Sequence, residues 1–159
     1  MQVNHNAFPY RFLRAVYRLA PFDLKGDWHS QAVDVKKGFF SCLIIASVRP
    51  KILEDILWDL ASQTMPRDQF EVVVLNDGAG DNVRAIVKKY EQLFNIRYAE
   101  NKIPHRVLSN LRNATLQMAQ GEYILLLDDD TRILQEDFLT KALEFFKKLD
   151  ADILMPHAQ

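Results

Sequence analysis

Short apolar runs recur along this chain, and a segment with helical spacing of apolar residues separates each from the next. The runs are SCLIIA (41–46), FEVVVLN (70–76), the weaker IRYAE (96–100) and YILLLD (123–128), with ADILM (151–155) starting a fifth. KILEDILWDLASQ (51–63) sets Ile52, Ile56, Leu57 and Leu60 at helical spacing, and DNVRAIVKKYEQLF (81–94) puts Val83, Ile86, Val87, Tyr90, Leu93 and Phe94 on one stripe. HRVLSNLRNATLQMAQ (105–120) turns Val107, Leu111, Ala114 and Met118 inward; EDFLTKALEFFKKL (136–149) does so with Phe138, Ala142, Leu143, Phe146 and Leu149. Pro50 suits a first helical turn, Asp81 an N-cap, and Gly121 a helix stop. Strands with no polar face need cover on both sides. Alternation with helices then predicts an α/β fold, a mostly parallel sheet with helices on both faces, left incomplete at the C-terminus. Residues 1–40 lack this alternation and read as an N-terminal extension with a helical segment; residues 41–159 read as the domain.

The chain has 159 residues, the size of one ordinary domain. Net charge of −1 gives no global case for nucleic acid binding. The single cysteine, Cys42, excludes an internal disulfide, fits a reducing compartment and sits in an apolar run as a core residue. No apolar run approaches the ~18 residues of a membrane span, and MQVNHNAF lacks the features of a secretory signal.

In a parallel sheet, ligands bind outside the carboxyl ends of the strands. The polar tips ASVRP, LNDGAGD and LDDDT are therefore expected on one edge. Alternation along the strand sends Asp128 and Asp130 to one side and Asp129 to the other. Two carboxylates at a cleft suit a hard divalent cation, Mn²⁺ or Mg²⁺, which would offset their mutual repulsion. Asp77 is placed to accept hydrogen bonds from a base or ribose. Arg49, and the pair Arg106 and Arg112 with Lys102 and His105 just before it, are candidates for phosphate.

These segments, in this order and spacing, resemble the family 2 glycosyltransferases, which have the GT-A fold. The stretch RNATLQMAQGEYILLLDDD is similar to the family's approach to its metal motif. The resemblance implies a nucleotide-diphosphate sugar, UDP- or GDP-type, lying across the strand ends. It assigns Asp77 to the base, Asp128 to the ribose, and Asp130, with Asp128, to the metal that bridges the diphosphate. Ala46, Ser47, Asp129, Arg106 and Arg112 complete the donor site. Two departures stand out: Asn76 occupies a position where the family often has an aspartate, and the carboxylate base for the acceptor, far beyond the metal motif in the family, has no counterpart here. The expectation is a donor-binding half, inverting in outcome, that needs a C-terminal half for its saccharide or lipid-linked acceptor. Alternatives are a haloacid dehalogenase-type phosphatase, against which Arg132 stands where that motif has Thr or Val, and a non-catalytic module that binds a membrane or a partner. Arg11, Arg14 and Arg18 share one face of a helix in PYRFLRAVYRLA, which suits peripheral contact with the inner face of a membrane in a cytoplasmic protein.

Overall fold

A computed structural model of the chain describes residues 24–26, 34–46, 49–78, 80–101, 104, 107–128, 130–151 and 153–154. Five strands are present among them: β1 (Leu24–Gly26), β2 (Lys36–Ala46), β3 (Phe70–Asn76), β4 (Asn95–Asn101) and β5 (Gly121–Leu127). Four helices lie between or after them: α1 (Pro50–Ala61), α2 (Asp81–Tyr90), α3 (Leu108–Met118) and α4 (Phe138–Leu149). The strand order is β1-β4-β3-β2-β5; β2, β3, β4 and β5 run parallel, and β1 pairs antiparallel with β4. The expected α/β sheet with helices on both faces is what forms.

Alternation along the strands sorts the core into two layers. Phe40, Cys42 and Ile44 of β2 and Phe70, Val72 and Val74 of β3 face α1, α2 and α4. Leu43, Val73, Leu75 and Ala99 face α3 through Leu111, Ala114 and Met118. Burial holds the Cys42 thiol protonated by raising its pKa, with the Glu71 carboxylate adding to the effect. Within α1, Leu53 takes the core position assigned to Ile52. Phe146 stacks with Tyr123 at 5.0 Å, and Tyr123 with Phe40 at 5.3 Å, which fixes α4 to the sheet. Leu139 is the fully buried residue of α4, whereas Leu149, expected inward, is 59% exposed. It ends the helix beside Asp150, whose left-handed backbone (φ 46°) turns the chain away from the sheet. Ala151, Ile153 and Leu154 form no strand, so the described part of the expected fifth repeat, ADILM, is not extended into the sheet.

Two parts of the segment before residue 41 join the sheet. The three residues of β1 line its edge on β4. Lys36 to Phe40 lengthen β2, interrupted by a register shift around Gly38, which has φ 71° and donates its N–H to Glu122 Oε2 at 2.7 Å. A bulge of this kind hides the strand from a search for alternation. No helix among the described residues is long and apolar enough to cross a membrane.

At the amino ends of the strands a polar lock crosses the α3 face. Buried Glu71 accepts from the Ser41 hydroxyl at 2.6 Å and from the Gln120 N–H at 2.7 Å, both on Oε1. The Gly121 N–H donates to Ser41 Oγ at 2.8 Å. Helix α3 has already ended at Met118, so Gly121 is not its stop. A glycine is needed there because β2 comes too close: a Cβ would lie 2.7 Å from both Phe39 O and Ser41 N. Both atoms belong to the central strand and cannot yield without moving its ladder. Gly121→Ala is expected to lower stability by about 1–3 kcal/mol. Urea unfolding checks this, and an unchanged midpoint would contradict so close an approach.

Candidate functional site

The register brings the carboxyl ends of the strands level. Ala46 pairs with Asn76, and Ile44 with Leu127. From β2 the chain moves outward to β3 and β4, then crosses under α3 to the other side of β2 for β5. The strand order reverses between β2 and β5, and in open parallel sheets ligands bind outside the carboxyl ends at such a reversal. ASVRP, LNDGAGD and LDDDT all begin at this edge, as the sequence pattern requires of a parallel sheet.

Asp77 follows β3 directly and is 6% exposed. Its N–H donates to Ala46 O at 2.8 Å, and its Oδ1 accepts from the Asn101 amide at 2.9 Å. Asn101, itself buried at the end of β4, was not among the sequence candidates; its one signal was a polar residue ending a strand on the same edge. Gly78 turns the chain at φ 82°, and a Cβ there would overlap Pro104 Cγ. The Ala46 side chain packs in the core, so its carbonyl is the group it offers to this edge.

Asn76 is fully buried, and its amide donates to Tyr98 Oη at 2.9 Å and to Gly80 O at 3.2 Å. Arg84 lies over the Tyr98 ring at 5.4 Å and pairs with Glu100 at 2.5 Å. Burial pushes the Tyr98 hydroxyl pKa up, so it stays protonated as part of this network. An aspartate at position 76 has no N–H to give either partner, which accounts for the asparagine. The glycine before α2 makes the turn: Gly80, with φ 78°, is the N-cap, and Asp81, expected there, is the first helical residue. A carboxylate in that first turn still favours the helix dipole.

Strand β5 ends at Leu127, and the Thr131 N–H donates to Asp128 O at 3.0 Å. Asp128 and Asp130 therefore sit past the strand, on a turn, and strand alternation does not govern where they point. Asp128 Oδ1 meets Arg112 Nη2 of α3 at 3.0 Å, and Asp130 Oδ2 meets Arg49 Nη2, just before α1, at 3.4 Å. Two arginines, from elements on opposite faces of the sheet, thus offset the repulsion between the acids. Asp128 and Asp130 are 63% and 58% exposed, so each pair is worth about 0–1 kcal/mol. Ser47, Lys102, His105, Arg106, Asp129, Arg11, Arg14 and Arg18 lie outside the described residues.

Among the described residues no group of three or more His, Cys, Asp or Glu side chains could hold a metal ion. Asp128 and Asp130 are nonetheless suitable donors in kind: exposed carboxylates on one turn, with partners that ligands can displace. Such a partial set fits Mg²⁺ or Mn²⁺, which take much of their shell from water and phosphate oxygens. The best-buried element of the site is the turn before α2, and it gives a direct test. Asn76→Asp should cost about 1–3 kcal/mol, because Tyr98 Oη and Gly80 O lose their donor in a buried place. A double-mutant cycle with Tyr98→Phe, read by denaturant unfolding, checks that the loss runs through the tyrosine; strict additivity would contradict it.

The chain is similar to known proteins in sequence and in fold. The chain is 31% identical over 116 residues to the poly(ribitol-phosphate) β-N-acetylglucosaminyltransferase TarS of Staphylococcus aureus, covering 73% of this chain and 20% of that protein. It is 35% identical over 118 residues to a chondroitin synthase of Pasteurella multocida, covering 72% of this chain and 12% of the synthase. The chain thus spans a fifth or less of the length of these relatives. A structure of S. aureus TarS in complex with UDP superposes with a TM-score of 0.67 at 29% identity, over 72% of this chain and 33% of that one. The mannosyltransferase PcManGT of Pyrobaculum calidifontis, solved with GDP-Man and Mn²⁺, shares the fold at a TM-score of 0.63 and 21% identity, over 86% of this chain and 39% of that one. Residues 41–159 match the family described as Glycosyl transferase family 2, and the chain belongs to it.

Proposed function

We propose that this chain is the donor-binding part of a glycosyltransferase and takes a nucleotide-diphosphate sugar, of the uridine type, across the carboxyl edge of its sheet. The observation that carries this reading is the shared edge itself. A buried carboxylate, Asp77, held by Asn101, and an exposed acidic turn, Asp128 and Asp130, flank the point where the strand order reverses. The Asp77 side of that edge suits a neutral planar group with N–H donors; the side with Asp128 and Asp130 suits a charged one. The complexes of TarS with UDP and UDP-GlcNAc favour the uridine type.

In this reading Asp77 accepts an N–H of the base, and Asp128 accepts a ribose hydroxyl. Ala46 and Ser47 line the nucleotide, with Asp129 beside it. Asp130, with Asp128, would hold Mn²⁺ or Mg²⁺, and the bound ion supplies Lewis-acid stabilisation of the charge that grows on the leaving diphosphate. Arg112, and with it Arg106 and Arg49, would donate to phosphate oxygens once a ligand competes for them. Inverting transfer to a saccharide or lipid-linked acceptor, with the acceptor base in a further C-terminal half, is carried over from the family resemblance. Peripheral membrane contact through Arg11, Arg14 and Arg18 at the cytoplasmic face belongs to the same proposal.

Titration with UDP and GDP, with and without Mn²⁺, tests it. UDP should bind the wild type more tightly when Mn²⁺ is present, and Asp130→Ala should remove most of that gain, about tenfold or more in affinity. A wild type indifferent to every nucleotide, or an Asp130→Ala variant that keeps the full metal effect, would overturn the assignment.

A further inference from the structure

The buried residues of helix α1 are apolar except at one position. Asp59 is buried there, 5% exposed, among Leu53, Ile56, Leu57 and Leu60. Its carboxylate is fully engaged with the chain that follows the acidic turn. Asp59 Oδ2 accepts from Arg132 Nε at 2.7 Å and from the Ile133 N–H at 2.9 Å, and Oδ1 accepts from Arg132 Nη2 at 2.9 Å. The chain just past α1 continues the contact. Gln63 Nε2 donates to Gln135 O at 2.9 Å, Gln63 Oε1 accepts from the Leu139 N–H at 3.1 Å, and the Thr64 N–H donates to Glu136 O at 2.7 Å.

We infer that Asp59 is a positioning residue for Asp130, on the reading above that Asp130 binds the metal. The turn from Asp128 to Arg132 is held at its start by the ladder of β5, where Leu127 pairs with Ile44, and at its end by the Asp59 clamp on Ile133. Asp130 stands three residues from the clamped N–H, so its backbone can stray no further than ~10 Å from it even at full extension. Fixing both ends leaves Asp130 few conformations. Core packing alone gives no reason for an acid on this face, since an apolar residue of similar size would pack without the cost of desolvating a charge. A forked arginine and a backbone N–H on one carboxylate instead set both the direction and the height of the turn. Groups that orient a metal's ligands from behind typically change its affinity by about 10–100-fold when removed.

The test is Mn²⁺ affinity, read by electron paramagnetic resonance with and without UDP, on the wild type, Asp59→Asn, Arg132→Gln and the double variant. Both single changes should weaken Mn²⁺ binding in the presence of UDP by about tenfold or more. The double variant should be no worse than the weaker single one, and UDP affinity without metal should stay within about twofold. The sign at Arg132 decides between positioning and charge. If these groups acted only through the field, removing the acid would weaken cation binding and removing the arginine would strengthen it. Opposite signs, or unchanged affinity in both variants, overturn the inference. If Asp59→Asn fails to fold, Arg132→Gln, whose side chain is 46% exposed, carries the comparison alone. A wild type that takes up no Mn²⁺ beside UDP overturns the metal reading itself, and that failure is visible before any variant is made.

Discussion

The double parallel pairing of β2 is the constraint on which the rest depends. Seven consecutive residues, Phe40 to Ala46, pair with β3 on one side, while the same strand pairs with β5 on the other. Both pairings must be in register at once. A slip of one residue against either neighbour would turn Cys42 and Ile44 toward α3 and Leu43 toward α1, and would reverse both core layers. Because hydrophobic burial fixes the register, it also fixes where the strands end: Ala46 level with Asn76, and Leu127 opposite Ile44. The carboxyl edge is a product of core packing, not of any attraction among its polar groups, which include acids that repel.

Each end of the sheet then solves a different problem. At the amino end Glu71, Ser41 and Gly121 bring three strands together at distances too short for any other side chain at residue 121. This lock sets where β5 begins relative to β2. Around α1 the chain that follows β5 is held twice: Arg49, just before the helix at the carboxyl edge, reaches Asp130, and Asp59 within the helix and Gln63 just past it bond to residues 132 to 139. Helix α1 thus joins the middle of the sheet to the chain that leaves the acidic turn.

Much of this was readable in the chain. FEVVVLN ends at both sides where β3 ends, because an apolar run flanked by turn residues leaves little choice. The four helices were expected in place, and so were the buried Cys42 and the shared strand edge. Helix α2 was drawn too long because its apolar stripe outlasts it. Phe94 lies past the last turn and is buried against Phe70, 5.9 Å between ring centres, and not by helical periodicity. Gly38 concealed the first residues of β2, and three residues are too few to announce β1. Asn101 and Asp59 were missed for one physical reason. Each is a polar residue whose partner lies 24 or more than 70 residues away, and no local pattern encodes such a pair. Asn76 was read as a departure; the amide it supplies to Tyr98 turns that departure into a requirement of this particular turn.

The contrast between a sunken Asp77 and the open pairs at Asp128 and Asp130 carries one more consequence. Counter-ions crowd around exposed charges and leave buried ones untouched, with a screening length of roughly 8 Å at physiological ionic strength. Raising the salt concentration would therefore loosen the arginine contacts of the acidic turn while the Asp77–Asn101 bond held. The two sides of one strand edge, across β2 from each other, are tuned to different features of the medium: one to the water it excludes, the other to the ions dissolved in it.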